Sequence, residues 1–369
     1  MMGIKSFRLA SISAALLLAS ALLANAADPS IDAEAYYKGK TIRLLVDTSP
    51  GGGTDLLARY FAIHLGKFIP GNPRIIVTNY PNSVAAMNYM TKIKPDGLTL
   101  IYSPRPRIPE QYSEQADFRV VDFQYIGGVH KSGGVWMIKG DVPYKNIKDA
   151  SGGKYVLTIP ITPDPQVAVT QWNQIGLLLA AEALNLPVKA IPLTSAERGT
   201  TAQLLGLERG DFNGFMQGAH VWKLIPSLRP GWTAKGFIKP FAFVGTPEMS
   251  MEPNKESPIT APNMYELVDP KYRKLMDAFV MAGAIPGKHF AAPPGLPKSL
   301  LQVLRTAYKK AMTDKEFRQN YNRIAHEDPP LIDGETYEAE VKKFAQALQE
   351  NKGLITTKLK DLYEKYTKR

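Results

Sequence analysis

The sequence predicts an α/β protein of two lobes. Apolar runs rich in Val, Ile and Leu alternate with helical patterns in two successive series, the mark of parallel sheets flanked by helices. Behind the N-terminal segment roughly 340 residues remain, more than one ordinary domain holds and enough for two. The chain then turns to long helical patterns that close both units.

Residues 1–26 stand apart. Lys5 and Arg8 give a basic start, an apolar stretch runs from Leu9 to Leu23, and Ala24-Asn25-Ala26 follows. This is the pattern of a cleavable secretory signal peptide. The other reading is a membrane anchor, for which the apolar core is short and Ala-rich. No later stretch is long and apolar enough to cross a bilayer. The expected location is periplasmic.

The first series reads strand 41–47, helix 54–68, strand 74–80, helix 83–93 and strand 98–103, a βαβαβ unit. A polar, irregular segment from Pro104 to Asp122 interrupts it. The second series has strands at 134–140 and 154–159, then one long helix over 165–185 opened by Pro165, which suits a first helical turn. A strand at 188–193 and a helix with Thr194 and Glu197 at capping-box spacing follow, then a strand at 212–217. A strand at 237–245 and helical segments over 297–314, 315–325 and 334–366 complete the chain. The expected partition is lobe one over 28–130 plus 237–369, and lobe two over 131–236. Ligands of open parallel sheets bind beyond the carboxyl ends of the strands, so two facing lobes would enclose a cleft lined by βα loops.

Composition narrows the chemistry. The chain has no cysteine, which excludes thiol nucleophiles, thiolate metal sites and redox pairs. Its five histidines show no zinc-site spacing, so neither metal nor cofactor is expected. The formal charge is +11, which favours acidic partners. No run of five basic residues occurs, and export argues against nucleic acid. Small anionic ligands remain, beside the plain alternative of a dispersed basic surface.

Four junctions are candidates for binding. In Ser49-Pro50-Gly51-Gly52-Gly53-Thr54-Asp55 the glycines allow close backbone approach, and a helix opening near Thr54 would aim its N–H groups and dipole at the loop. The loop lacks the Lys-Ser/Thr of a P-loop and the third glycine of a dinucleotide fingerprint. Alone it fits a tight turn and an anion cradle equally. Asp55 has a plain role as a first-turn acid, and His64 falls on the helix's apolar face. Asn82, Ser83, Val84 and Ala85 form the second junction, with Ser83 able to cap the next helix. Arg105, with Arg107, suits bidentate carboxylate pairing, although solvated loop arginines are commoner. Thr162 and Gln217 sit beyond strands of the second lobe, and Trp136, Trp172 and Trp222 belong by preference in its core. No nucleophile–base–acid arrangement is evident.

These junctions, in this order, resemble the Bug family, the TctC-like extracytoplasmic receptors of tripartite tricarboxylate transporters. Gly52, Gly53, Asp55, Ala58, Arg59, Val77, Asn79, Pro81, Pro95, Asp96 and Gly97 fit its first motifs, and the stretch from Ala292 to Leu304 fits a late one. The resemblance implies a two-lobed, clam-like periplasmic binding protein, each lobe a mostly parallel sheet flanked by helices. It implies a monomer that captures a small organic carboxylate and passes it to membrane permease subunits of a secondary transporter. It places ligand contacts on the Ser49–Asp55 and Asn82–Ala85 loops, with Thr162 and Gln217 opposite. Arg105 is a further charge partner on the residue reading. The chain departs from the family at the glycine-poor Asn82–Ala85 loop, at Asn213 where an Asp is usual, at the proline-rich Pro160–Pro165 loop, and in the segment around Arg105. An exported α/β enzyme acting on an acid, and a sensor presenting ligand to a membrane kinase, are the competing functions.

Overall fold

The computed structural model describes residues 31–129, 133–168, 171–193, 199–245, 259–283, 287–325 and 328–368. The expected signal peptide, His130, His326 and the Thr194–Glu197 pair lie outside the described residues. Among the described residues no helix is long and apolar enough to cross a membrane.

Helix α1 (Ala33–Tyr37) leads into β1 (Thr41–Val46), α2 (Gly53–His64), β2 (Arg74–Asn79), α3 (Ser83–Lys92) and β3 (Thr99–Ser103), the expected βαβαβ unit. Strand β4 (Gln124–Gly128) ends the irregular segment. Next come β5 (Gly134–Lys139), β6 (Leu157–Ile161), α4 (Pro165–Ala168), α5 (Trp172–Ala183), β7 (Val188–Pro192), α6 (Thr200–Arg209), β8 (Gly214–Gly218), α7 (Ala219–Leu228) and β9 (Ile238–Val244). The remainder is α8 (Met264–Leu267), α9 (Pro270–Gly283), β10 (His289–Ala292), α10 (Lys298–Thr313), α11 (Lys315–Ala325), β11 (Ile332–Asp333), α12 (Gly334–Glu350) and α13 (Lys352–Thr367).

The first lobe is built on a six-stranded sheet in the order β11-β4-β10-β3-β1-β2. Ile42, Leu44 and Val46 of β1 enter one core and Leu45 enters the other, so the strand is apolar on both faces. The second lobe holds a three-stranded sheet, β8-β5-β9, and the β6-β7 pair. Asn213 stitches these two sheets together. Its Oδ1 accepts from the Thr158 N–H at 2.8 Å and its Nδ2 donates to the Val156 carbonyl at 3.1 Å, a double role no aspartate can fill.

The two-lobed α/β architecture is as expected, but the sheets are mixed rather than mostly parallel. Among the described residues the parallel ladders are β2-β1-β3 and β6-β7, where a crossover helix links the strands, with one isolated parallel bridge between Phe243 and Asn263. Strands β9 and β10 arrive by other routes and pair antiparallel.

The partition also differs. Strand β9 pairs with β5 across Gly134 and Val244, and the second lobe's core takes in residues as far as Met276. Leu359, Leu362, Tyr363 and Tyr366 of α13 join that same core, while Val341, Phe344 and Leu348 of α12 pack in the first lobe. The chain therefore crosses between the lobes once more at Asn351, inside the segment expected to belong wholly to lobe one. Periodicity shows that a helix has an apolar face, not which core receives it.

The helix expected over 165–185 is interrupted. Gln171 is extended, with φ −90° and ψ 96°, and α5 starts afresh at Trp172. That indole seats against Gly134, where a Cβ would come within 2.7 Å of the ring. Trp136, Trp172 and Trp222 are all buried in the second core.

Candidate functional site

The loop after β1 is built around a brace. Gly51 adopts φ +79°, a region that glycine enters without strain. Its N–H donates to Asp55 Oδ2 at 2.9 Å. The same carboxylate receives Arg59 Nε and Nη2, each at 3.0 Å, and Asn79 Nδ2 at 2.8 Å. Asn79 Nδ2 also reaches the Thr48 carbonyl at 3.2 Å, so one network ties both ends of the loop to β2. Burial alone would raise the Asp55 carboxyl. The hydrogen bonds from Arg59, the Gly51 N–H and Asn79 outweigh it and hold the group below the usual carboxylate range. Asp55 thus fixes the loop from behind.

Helix α2 begins earlier than expected. Its N-cap is Gly52, which offers no side-chain acceptor, and Thr54 lies buried inside the first turn instead of capping it. The first-turn N–H groups keep their donor capacity and the positive end of the dipole.

The second lobe presents the same arrangement to this loop. Helix α6 starts at Gly199 and α7 at Gly218, neither with a side-chain cap. Thr201 Oγ1 donates to the Gly51 carbonyl at 3.1 Å. A Cβ at Gly199 would fall 3.1 Å from Ser49 Cβ, and one at Gly52 would fall 3.6 Å from Thr200 Cβ. A Cβ at Gly53 would lie 2.8 Å from Leu224 Cδ1 and 3.4 Å from His220 Cδ2. Three glycine-started helices, α2, α6 and α7, therefore meet where the lobes face one another. Side-chain oxygens cap some other helices, Asn82 on α3 and Asp333 on α12, while α5, α10 and α13 also start without a side-chain cap.

The remaining sequence candidates are placed as follows. Asn82, rather than Ser83, caps α3, accepting from the Ala85 N–H at 3.0 Å. Ser83, Val84 and Ala85 form the first turn of α3, partly exposed. Thr162 is fully buried, and its N–H donates to Gln174 Oε1 at 2.8 Å. Its carbonyl and that of Pro163 accept from the Tyr363 hydroxyl at 3.2 and 2.5 Å, so α13 holds this loop. Gln217 donates from Nε2 to Gln203 Oε1 on α6 at 2.6 Å. Ser49 and Pro50 face Gly199 and solvent respectively.

Arg105 is not free. It lies 4% exposed, forked onto Glu110 through Nη1 to Oε2 at 2.9 Å and Nη2 to Oε1 at 2.7 Å. Arg107 bridges Glu110 at 3.1 Å and Asp47 at 2.7 Å, and Ser103 Oγ donates to the same Asp47 oxygen at 2.7 Å. Burial would lower Arg107; the carboxylates of Asp47 and Glu110 outweigh it and raise the group above its ordinary value. Burial lowers neighbouring His289 to about 3, with Arg107 adding to the effect, so this imidazole is neutral at physiological pH.

Three buried polar atoms at the strand ends have no hydrogen-bond partner among the described residues: Asp47 Oδ1, Thr48 Oγ1 and Thr162 Oγ1. They belong to a longer set of buried polar atoms without such a partner, which includes Ser113 Oγ, Gln124 Oε1 and Ser299 Oγ elsewhere in the chain. Among the described residues no group of three or more His, Asp or Glu is placed to hold a metal ion.

The residues that sequence reasoning missed are Asp47, Gly199, Thr200, Thr201 and Tyr363. A strand-terminal acid just before the glycines was the available signal for Asp47. Gly199, Thr200 and Thr201 are named only by the lobes' approach, and Tyr363 only by the packing of α13 on the second core.

No protein-family model matches the chain. A UPF0065 protein from Bordetella pertussis is 29% identical over 118 residues, which is 31% of this chain and 36% of that relative. The match thus spans about a third of the relative's length. Among solved structures, a TctC solute binding protein from Polaromonas shares 19% identity, covering 85% of this chain and 99% of that one with a TM-score of 0.56. The periplasmic binding protein BugD shares 16% identity, covering 86% and 98% with a TM-score of 0.62. MatC from Rhodopseudomonas palustris, with bound malate, shares 16% identity, covering 88% and 99% with a TM-score of 0.58. The fold is that of the TctC- and Bug-type periplasmic binding proteins.

Proposed function

We propose that this protein is an exported solute receptor that captures a small organic carboxylate between its lobes and delivers it to a membrane permease. The observation that carries the reading is the meeting of three glycine-started, side-chain-free helix N-termini at the cleft. Backbone N–H groups and helix dipoles there favour an anion without a fixed cation. The Ser49–Gly53 loop supplies one wall, with Gly52 and Gly53 allowing close approach and Asp55 keeping the loop in place. The Asn82–Ala85 turn flanks it. Thr162 and Gln217 close from the second lobe, and Thr48 and Thr162 offer unsatisfied hydroxyls. The receptor works by binding and release rather than turnover. Closure is a population shift set by the ligand's preference for the closed state. The likeness of fold to periplasmic binding proteins, one of them with malate, supports the same reading.

A thermal-shift panel of mono- and dicarboxylates tests it. At least one acid should stabilise the protein saturably, by about 2.7 kcal/mol at a hundred times its Kd. A folded sample that no acid stabilises would sink the receptor reading. Gly52→Val should abolish the shift while leaving the protein folded; retained binding would remove this loop from the site.

A further inference from the structure

The Arg105–Arg107 pair is a carboxylate fork, and it is already full. Glu110 is completely buried, with both oxygens held by Arg105 and one shared with Arg107. Asp47 occupies the other edge of Arg107 at 2.7 Å. Planar guanidinium forks of this kind are the usual means of gripping an organic acid. The fork stands at the binding end of the sheet: Ser103 terminates β3, and Asp47 follows β1 two residues ahead of Ser49.

We propose that Glu110 supplies, from within the chain, the carboxylate that a second acid group of a ligand would otherwise bring to this fork, so that the protein takes acids with a single carboxylate. The ligand half of this inference rests on the receptor reading above; the fork half does not. An intramolecular carboxylate three to five residues from its arginines outcompetes a dissolved one through its effective concentration. A ligand's second carboxylate aimed at the fork would also meet the like charges of Glu110 and Asp47.

Glu110→Ala tests the fork directly, because the atoms it removes correspond to one acetate ion. The variant should melt below the wild type and should recover saturably with added acetate, by about 5 °C or more. Acetamide, and chloride at matched ionic strength, should not reproduce this, and the recovery should exceed any shift that the same acetate gives wild type. Acetate acting no better than chloride overturns the inference. Should the alanine variant fail to fold, Glu110→Gln keeps the shape and removes the charge. It should melt lower than wild type, and an unchanged melting temperature overturns the fork. For the ligand half, wild type is titrated with n-alkanoates and α,ω-dicarboxylates of matched length. Monocarboxylates should bind about tenfold tighter or more. Dicarboxylates binding equally or better overturn the single-carboxylate specificity. If neither series binds, the receptor reading falls and the ligand half with it, while acetate recovery still decides the fork.

Discussion

The loops after β1 and after β3 leave neighbouring strands of one sheet at the same end, yet they use polarity in opposite ways. The first carries its charge behind the loop, where Asp55 is joined to Arg59, Asn79 and the Gly51 N–H, and leaves the helix N–H groups in front without side-chain acceptors. The second closes its charges on one another, Arg105 and Arg107 on Glu110 and Asp47, almost wholly out of solvent. Two arginines are a stronger apparent signal for an anion than three glycines. Availability reverses that order, because a buried, paired cation has no capacity left for a ligand and an uncapped helix terminus does.

The largest effect should come from breaking the closed loop. Arg107→Ala leaves Asp47 and Glu110 with Arg105 as the remaining cation of the cluster, and should cost about 3–5 kcal/mol, read from the denaturant midpoint. A loss under about 1 kcal/mol would show that the cluster does not support the fold.

Asp55→Asn addresses the open loop and carries a pH signature. The folded Asp55 carboxyl lies below its ordinary value, so its ionised form stabilises the fold above the unfolded value of about 4 and that contribution is lost as pH falls through the folded value. The melting temperatures of variant and wild type should differ most near neutrality and converge in acid. A difference independent of pH would mean that shape, not charge, is what Asp55 contributes.

The smallest effect should come from Asn82→Ala, which removes the cap of α3 and should cost about 1 kcal/mol. Ligand affinity that falls beyond this loss would place the Asn82–Ala85 turn in contact with the ligand; affinity unchanged would confine the site to the glycine-started helices.

The sequence alone determined the βαβαβ unit, the strand that precedes the glycines and the helix that follows them. These depend on local periodicity, on glycine's access to φ +79° at Gly51, and on apolar runs that suit a sheet covered on both faces. Gly51-Gly52-Gly53 and Asp55 were legible as a site candidate for the same reason. Tertiary structure decided the rest. It sent α13 to the second core, paired β9 and β10 antiparallel, and brought Gly199, Thr201 and His220 against the glycine loop. It also decided that Arg105 belongs to Glu110. Charge and periodicity are properties of single residues and short segments, whereas availability for binding depends on which groups the folded chain has already joined and buried, whether five residues apart, as Arg105 and Glu110 are, or 150, as Gly51 and Thr201 are.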